Sequence, residues 1–217
     1  MPVRKIPKSH SNVTGIAASR KASGPAAFES TLERDLIQLL EFDPDVIGYE
    51  VQPVSITWFD AEGAKRIYTP DILAKYADLR RVPCLMEVKY RKDLRENWQE
   101  LKPKFKAAIR YAKSLGWRFQ IVTEKEIRTE RVANVRFLLG YLRQTVPAPH
   151  HTDSLLKAMQ QLRHSTPKEL LVTLNVSAME QATLLPSLWY LIAQRQIVTD
   201  LDRRLTMASP IWWPDHG

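Results

Sequence analysis

The sequence has few of the residues and segments that define several large protein classes. Its single cysteine, Cys84, excludes an intramolecular disulfide framework and indicates a reducing compartment. Its five histidines and Cys84 lack the spacing of zinc ligands. No apolar run is long enough to cross a membrane, and the N-terminus lacks the apolar core of a signal peptide. We therefore expect a soluble, cytoplasmic protein that has no membrane partner.

The chain has 217 residues, a length that allows one ordinary domain and a small second one. Charge is unevenly distributed along it. Residues 1–28 carry five Lys or Arg and no acid, whereas residues 153–217 carry six residues of each sign. Residues 1–27 are also rich in Ser, Gly and Pro, which predicts a basic disordered tail. Such basic tails usually contact the phosphate backbone of DNA. The alternative is a leader that only increases solubility.

Hydrophobic periodicity predicts alternating helices and strands over residues 28–146. The predicted elements are a helix at 29–42, strands at 46–59, 63–76 and 82–90, a long helix at 94–116, a strand at 117–124 and a helix at 131–144. This order predicts an α/β fold in which a mixed sheet is covered by helices.

Residues 145–153 contain two prolines and two histidines, which predict a domain boundary. Three helical segments and two strand-like runs around a turn follow. They predict a small winged-helix-like domain at 153–217. Pro186 is expected to bend or end the third of these helices.

The main chemical signal is a set of charged residues on neighbouring predicted strands. Asp71 follows Pro70, and Glu87 and Lys89 lie in the apolar run VPCLMEVKY. Side chains two apart on a strand share a face, so Glu87 and Lys89 point the same way. If Asp71 and Glu87 converge, their oxygens suit Mg²⁺ or Mn²⁺, which would activate water while Lys89 stabilises the phosphate. The alternative is a turn cap at Asp71 and a surface ion pair.

This arrangement resembles the PD-(D/E)xK motif of restriction-endonuclease-like nucleases. The flanking sequence narrows the likeness, because it is similar to the TnsA family of transposon endonucleases. The segments that carry the resemblance, within residues 28–130, are LERDLIQLLEFDPDVIGYEVQPVSI, RIYTPDILA, LMEVKY and GWRFQIVTEKEIR. The resemblance implies a restriction-endonuclease-like mixed sheet core within residues 28–146.

The resemblance also implies roles for single residues. The catalytic set would be Glu33, Asp71, Glu87 and Lys89, and its three acids would bind the metal. Glu33 has a competing explanation, because it could form a capping box with Ser30. Gln52 matches a characteristic family position, although it is equally compatible with an ordinary polar residue of an edge strand.

The predicted helix at 94–116 carries a row of basic side chains. They are candidates for contacts with the DNA backbone, and the alternative is a solvated helix face. The residues are Lys102, Lys104, Lys106, Arg110 and Lys113.

The implied function is cleavage of the non-joined 5′ strands at transposon ends in double-stranded DNA. The implied partners are a TnsB-like transposase and a TnsC-like AAA+ ATPase in a bacterial cytoplasm. The neutral charge of residues 153–217 favours docking of a protein over reading of DNA, with Trp212 and Trp213 as core residues or interface anchors. Two alternatives stay open: a stand-alone restriction-type or junction-resolving nuclease, and a non-catalytic assembly adaptor.

Overall fold

The computed structural model describes residues 13–60 and 62–214, and the chain divides into two compact units between Arg128 and Thr129. This division precedes the boundary expected at 145–153, so the helix at 130–142 belongs to the second unit. The reason is packing within that unit. The ring of Phe137 on this helix meets the ring of Trp189 edge-on, with 5.2 Å between centroids.

The first unit alternates strands and helices. In chain order these are β1 (Gly15–Ala17), β2 (Ala26–Phe28), α1 (Thr31–Phe42), β3 (Val46–Val51), β4 (Ile56–Phe59), β5 (Lys65–Tyr68), β6 (Ile72–Tyr76), β7 (Cys84–Val88), α2 (Arg91–Glu96), α3 (Trp98–Ser114), β8 (Arg118–Val122) and α4 (Glu124–Ile127).

A four-stranded mixed sheet in the order β3-β6-β7-β8 forms the centre of this unit. The β3–β6 and β6–β7 pairs are antiparallel, and β7 runs parallel to β8. The expected α/β class with a mixed sheet is therefore confirmed. Both faces of the sheet are covered, which explains why every residue of β7 is buried and why its sequence is nearly continuous in apolar residues.

The two faces of the sheet pack against different helices. On one face, Met86 of β7 belongs to the same apolar cluster as Leu36 of α1. On the other face, Leu85 packs in a cluster with Phe105 of α3. Because side chains alternate along a strand, Glu87 shares the α3 face with Leu85. This alternation decides which helix faces the predicted catalytic residues.

Two of the predicted long strands are interrupted. The strand expected at 46–59 divides into β3 and β4, and the one expected at 63–76 divides into β5 and β6. Gln52 has a positive φ of 49° and precedes Pro53, so the strand cannot continue through it. Pro70 causes the second break, since it lacks the N–H that a strand pair requires. β4 and β5 pair with each other as a separate hairpin. The helix expected at 94–116 is likewise two helices, α2 and α3.

The prediction of a disordered tail is wrong for residues 13–27, while residues 1–12 lie outside the described part of the chain. β1 and β2 form an antiparallel pair, and Ala26 is buried in the core. The ammonium of Lys21 donates to the carbonyl oxygen of Asp43, and the hydroxyl of Ser19 donates to Glu41 at 2.6 Å. Polar contacts with the end of α1 therefore hold this segment in place.

The second unit contains α5 (Glu130–Leu142), α6 (Pro149–Leu162), β9 (His164–Ser165), α7 (Pro167–Thr173), α8 (Ala178–Ala193), β10 (Val198–Thr199) and β11 (Ile211–Trp212). The three short strands form an antiparallel sheet with β11 in the middle. The amide of Asn134 on α5 donates to the carbonyls of Leu201 and Arg203, which anchors the segment between β10 and β11. Helices and a hairpin occur as expected, and the winged-helix assignment stays a prediction.

Two finer expectations about this unit have a clear outcome. α8 does not end at Pro186 but continues through it to Ala193. Buried apolar residues that follow Pro186, including Leu188 and Leu191, anchor the rest of the helix and offset the missing hydrogen bond. Trp212 and Trp213 are both half-buried.

Within the described residues, no helix has both the length and the apolar character needed to cross a bilayer.

We expect the β1–β2 pair to contribute to the stability of the first unit. Phe28 is 7% exposed, and its ring lies so close to Gly15 that a Cβ there would be 2.7 Å from it. Phe28→Ala should lower the free energy of unfolding by about 3 kcal/mol, because it leaves a cavity in the core. Urea denaturation measures this change.

Ile16→Ala is the matched control, since Ile16 lies in the same hairpin and is 73% exposed. Its effect should stay below about 0.5 kcal/mol. Equal, small effects of both substitutions would contradict the placement of this segment in the core.

Candidate active site

Glu87 is a carboxylate buried in the centre of the sheet. It is 1% exposed, and each of its oxygens has partners. Oε2 accepts a hydrogen bond of 2.6 Å from the hydroxyl of Tyr68. Oε1 lies 3.2 Å from the ammonium of Lys89 and 3.4 Å from that of Lys104. Two cations and a hydroxyl thus compensate for the loss of water around the carboxylate.

Asp71 is fixed beside Glu87 by backbone hydrogen bonds. Its N–H donates to the carbonyl of Met86 at 3.1 Å, and its Oδ2 accepts a 2.6 Å bond from the N–H of Val88. The pairing of Ile72 with Met86 places Asp71, one residue earlier, across from Glu87. Burial raises the pKa of Asp71 well above its usual value, and the charge of Glu87 raises it further. The strands thus bring the two predicted acids together.

Lys89 follows β7 directly and supplies positive charge to both acids. Its backbone N–H donates to the carbonyl of Val122 at 3.1 Å, which holds its position beyond the end of the strand. Burial acts to lower the pKa of Lys89, but the charges of Glu87 and Asp71 act against it, and the pKa is raised overall. Lys89 is therefore a cation at neutral pH in the metal-free protein.

These residues line a cavity of about 460 Å³ on the α3 face of the sheet. The β4–β5 hairpin forms one wall of it through Trp58, Arg66 and Tyr68. The full lining is Glu29, Gln52, Trp58, Arg66, Ile67, Tyr68, Thr69, Asp71, Glu87, Lys89 and Lys104. The cavity therefore brings together five residues predicted from the sequence, namely Gln52, Asp71, Glu87, Lys89 and Lys104. Glu33 is not among the lining residues.

Gln52 lies at the break between β3 and β4. Its N–H donates to the carbonyl of Asp71 at 2.8 Å, and its side-chain amide donates to Glu29 at 3.2 Å. Its Oε1 is buried and has no hydrogen-bond partner among the described residues. A buried acceptor without a partner, in a backbone conformation that is uncommon for glutamine, is typical of a functional site.

Glu33 lies in the first turn of α1, which packs on the sheet face opposite to Glu87. Its carboxylate accepts hydrogen bonds from the N–H of Glu29 and the hydroxyl of Ser30, each at 2.8 Å. This resembles the expected capping box, although the amide donor is Glu29 and not Ser30. Burial raises the pKa of Glu33 overall, although these bonds and the charge of Lys89 act in the opposite direction. Its role as a catalytic residue and metal ligand stays a prediction.

The basic residues of α3 differ in position. Lys102, Lys106, Arg110 and Lys113 are exposed, whereas the side chain of Lys104 is 22% exposed and contacts Glu87. The ammonium of Lys104 also lies 4.8 Å from the centre of the Tyr68 ring. The DNA-contact role of the four exposed residues stays a prediction, and Lys104 belongs to the site.

The sequence reasoning missed Tyr68 and Glu29. Tyr68 could have been found from the alternation of β5, since Tyr68 and Arg66 share a face that leads towards the motif. Burial and the charge of Glu87 raise the pKa of Tyr68 far above its usual value, so it remains a neutral donor. Glu29 directly precedes the helix cap Ser30, and no local pattern marks it as a site residue.

The donors in the first unit limit which metal ion the site could hold. In the described ranges 13–60 and 62–214, no three His, Cys, Asp or Glu side chains come close enough together to hold one. The ligand set Glu33, Asp71 and Glu87 therefore stays a prediction. Three acids, Glu29, Asp71 and Glu87, line one cavity together with the unpartnered amide oxygen of Gln52. Oxygen donors of this kind fit a hard divalent cation.

Two family models match most of the chain. Residues 43–124 match the family model described as TnsA-like endonuclease N terminal. Residues 126–201 match the model described as TnsA endonuclease C terminal. The first match includes Gln52, Asp71, Glu87 and Lys89 but begins after Glu33. No curated protein matches the chain.

Asp71→Asn should stabilise the metal-free protein at neutral pH, because ionised Asp71 is unfavourable beside Glu87. The pKa of Asp71 is higher in the folded than in the unfolded state. The contribution of protonated Asp71 to folding stability is therefore lost as pH rises through the pKa of the folded state. Asparagine does not titrate and keeps an acceptor for the N–H of Val88. We expect a gain on the order of 1 kcal/mol, measured by urea denaturation with a chelator present.

The same comparison over a pH series provides the control. Below the unfolded pKa of about 3.9, both proteins carry an uncharged side chain and the difference should disappear. A stability gain that is independent of pH would contradict this electrostatic explanation.

Proposed function

Since this chain belongs to the TnsA endonuclease family, we propose that it is a metal-dependent DNA endonuclease that cleaves the non-joined 5′ strands at transposon ends. The observation that supports this most directly is the meeting of Asp71, Glu87 and Lys89 at one cavity. The alternative of a surface ion pair does not account for a glutamate that is 1% exposed. A non-catalytic adaptor would have no need of a buried, charged cavity.

Asp71 and Glu87 would hold Mg²⁺ or Mn²⁺, and the free amide oxygen of Gln52 would complete the set of protein donors. When bound, the ion would supply an activated water and neutralise charge on the phosphodiester. The hydrogen bond from Val88 fixes Oδ2 of Asp71, which leaves its other oxygen for the ion. Tyr68 similarly fixes Oε2 of Glu87. Both acids are therefore positioned before any ligand arrives, which reduces the reorganisation that binding requires.

Lys89 would stabilise the negative charge that develops on the phosphate. Its ammonium is held 3.2 Å from Glu87, and its raised pKa keeps it protonated. Glu33 would tune this site through its charge or act as a further ligand after a local rearrangement, because its carboxylate is already bound by Glu29 and Ser30.

Family membership supports an assembly in which a TnsB-like transposase cuts and joins the other strand and a TnsC-like ATPase links both to target selection. In such an assembly this chain would not act as a free nuclease. Cleavage of plain plasmid DNA by the purified protein alone would instead favour a restriction-type or junction-resolving enzyme.

Alanine at Asp71 or Glu87 should abolish cleavage of the non-joined strand, because each change removes a metal ligand. Lys89→Ala should keep the metal but raise the barrier by about 3 kcal/mol, as expected for a positioned charge. Joining of the other strand belongs to the transposase and should continue. In a reconstituted transposition reaction, simple insertions should therefore give way to cointegrates.

Glu96→Ala is the matched control, because Glu96 is an exposed acid on α2. It should leave simple insertions as the main product. If Asp71→Ala and Glu87→Ala also yield mostly simple insertions, the site assignment is wrong. If both product types disappear, the proposed division of labour is wrong.

The second unit would dock the ATPase. Residues 153–217, which exclude the three arginines at 129–152, have no net charge, and this does not favour contact with the DNA backbone. Val172 on α7 and Met179 on α8 are 58% and 78% exposed, and they would be the apolar side chains that the partner covers. Because α5 packs on α8, truncation at residue 153 would damage the unit itself, so surface substitutions are the better test.

Combined Val172→Glu and Met179→Glu should weaken binding of the full-length protein to the TnsC-like ATPase at least about tenfold, because charges would be placed in an apolar contact. A pull-down and a binding titration measure the loss. Gln160→Glu is the control, since Gln160 is exposed on α6, a helix that carries neither substituted residue. Undiminished binding by the double variant would remove this surface as the docking site.

A further inference from the structure

Lys104 is held in the interior of the cavity, unlike the exposed lysines on either side of it in α3. Its ammonium lies 3.4 Å from Oε1 of Glu87. It also lies 4.8 Å from the ring centre of Tyr68 and 5.4 Å from that of Phe105. Aromatic faces attract cations, so this ammonium has a second favourable environment next to the carboxylate.

Lys104 and Lys89 share a single oxygen atom of Glu87. Their ammonium groups lie 3.4 Å and 3.2 Å from the same Oε1, while Oε2 is bound by the hydroxyl of Tyr68. A divalent cation bound through Oε1 would lie within a few ångströms of both ammonium groups. Repulsion between like charges at this distance is strong where little water screens them. At least one ammonium must therefore move away when a metal ion binds.

The two lysines differ in how far they can move. Lys89 lies two residues from Glu87 in the chain, and its backbone is bound to the carbonyl of Val122. Lys104 comes from a separate helix and has the aromatic rings of Tyr68 and Phe105 beside it. Its long side chain can leave the carboxylate without any change in the sheet. Lys104 is thus the ammonium that can be displaced.

We propose that Lys104 is a resident counter-ion of Glu87 that competes with the catalytic metal ion. In the metal-free protein it balances the charge of the buried carboxylate. When the metal binds, Lys104 leaves Oε1, and this exchange sets the affinity of the site for the ion. The inference rests on the proposed metal site, and it assigns Lys104 a role distinct from the DNA-backbone contact expected of the lysines on α3.

The test is calorimetric titration of the full-length protein with Mn²⁺ alone, without DNA. Lys104→Met removes the charge and should lower the dissociation constant about tenfold or more, since no ammonium then opposes the ion. Lys104→Arg keeps the charge and should stay close to the wild-type value. Lys106→Met removes an exposed charge from the same helix and should change little. Thermal unfolding without metal verifies that each variant is folded.

Unchanged or weaker Mn²⁺ binding by folded Lys104→Met would overturn the proposal, because a competing counter-ion must oppose the metal. Equal tightening by Lys104→Arg would also overturn it, since the effect would not depend on charge. Failure of the proposed function looks different. In that case the wild-type protein itself would bind no Mn²⁺, or Asp71→Ala would bind it equally well.

Discussion

The burial of Glu87 is the constraint on which the first unit depends. A carboxylate that is 1% exposed is strongly unfavourable unless cations and donors surround it. Those partners come from three different elements: Tyr68 from β5, Lys104 from α3, and Lys89 from the residue after β7. The hairpin, the helix and the sheet must therefore be arranged around this carboxylate. The same requirement produces a charged cavity beside an otherwise apolar sheet.

The breaks in the strands give the cavity its shape. β3 ends directly before Gln52 and β6 begins directly after Asp71. The N–H of Gln52 donates to the carbonyl of Asp71 at 2.8 Å. Between these two points the chain leaves the sheet and forms the β4–β5 hairpin. This hairpin forms a wall of the cavity. The uncommon backbone conformation of Gln52 is thus a consequence of turning the chain away from the sheet beside the acids.

Charge within the site is close to balance, although the substrate of a nuclease is a polyanion. Glu29, Asp71 and Glu87 line one cavity with Arg66, Lys89 and Lys104, and Arg66 is also paired with Asp60 at 2.8 Å. Little excess positive charge is left inside to attract DNA by itself. A divalent ion would change this balance and make the cavity favourable for a phosphate. In the proposed mechanism the metal ion would therefore be linked to the substrate by electrostatics as well as by chemistry.

The sequence by itself determined the α/β class, the motif of Asp71, Glu87 and Lys89, and most helices and strands. These features follow from local periodicity, because alternation and apolar runs reflect which faces of an element are covered. Tertiary structure decided the rest. It placed Lys104, unlike the other lysines of α3, against Glu87. It bound the carboxylate of Glu33 to Glu29 and Ser30, and it paired residues 15–17 with residues 26–28. It also assigned α5 to the second unit. Each of these contacts depends on which distant segments of the chain meet. Local sequence patterns do not specify such contacts, because the same residue types suit an exposed face and a buried pair equally well.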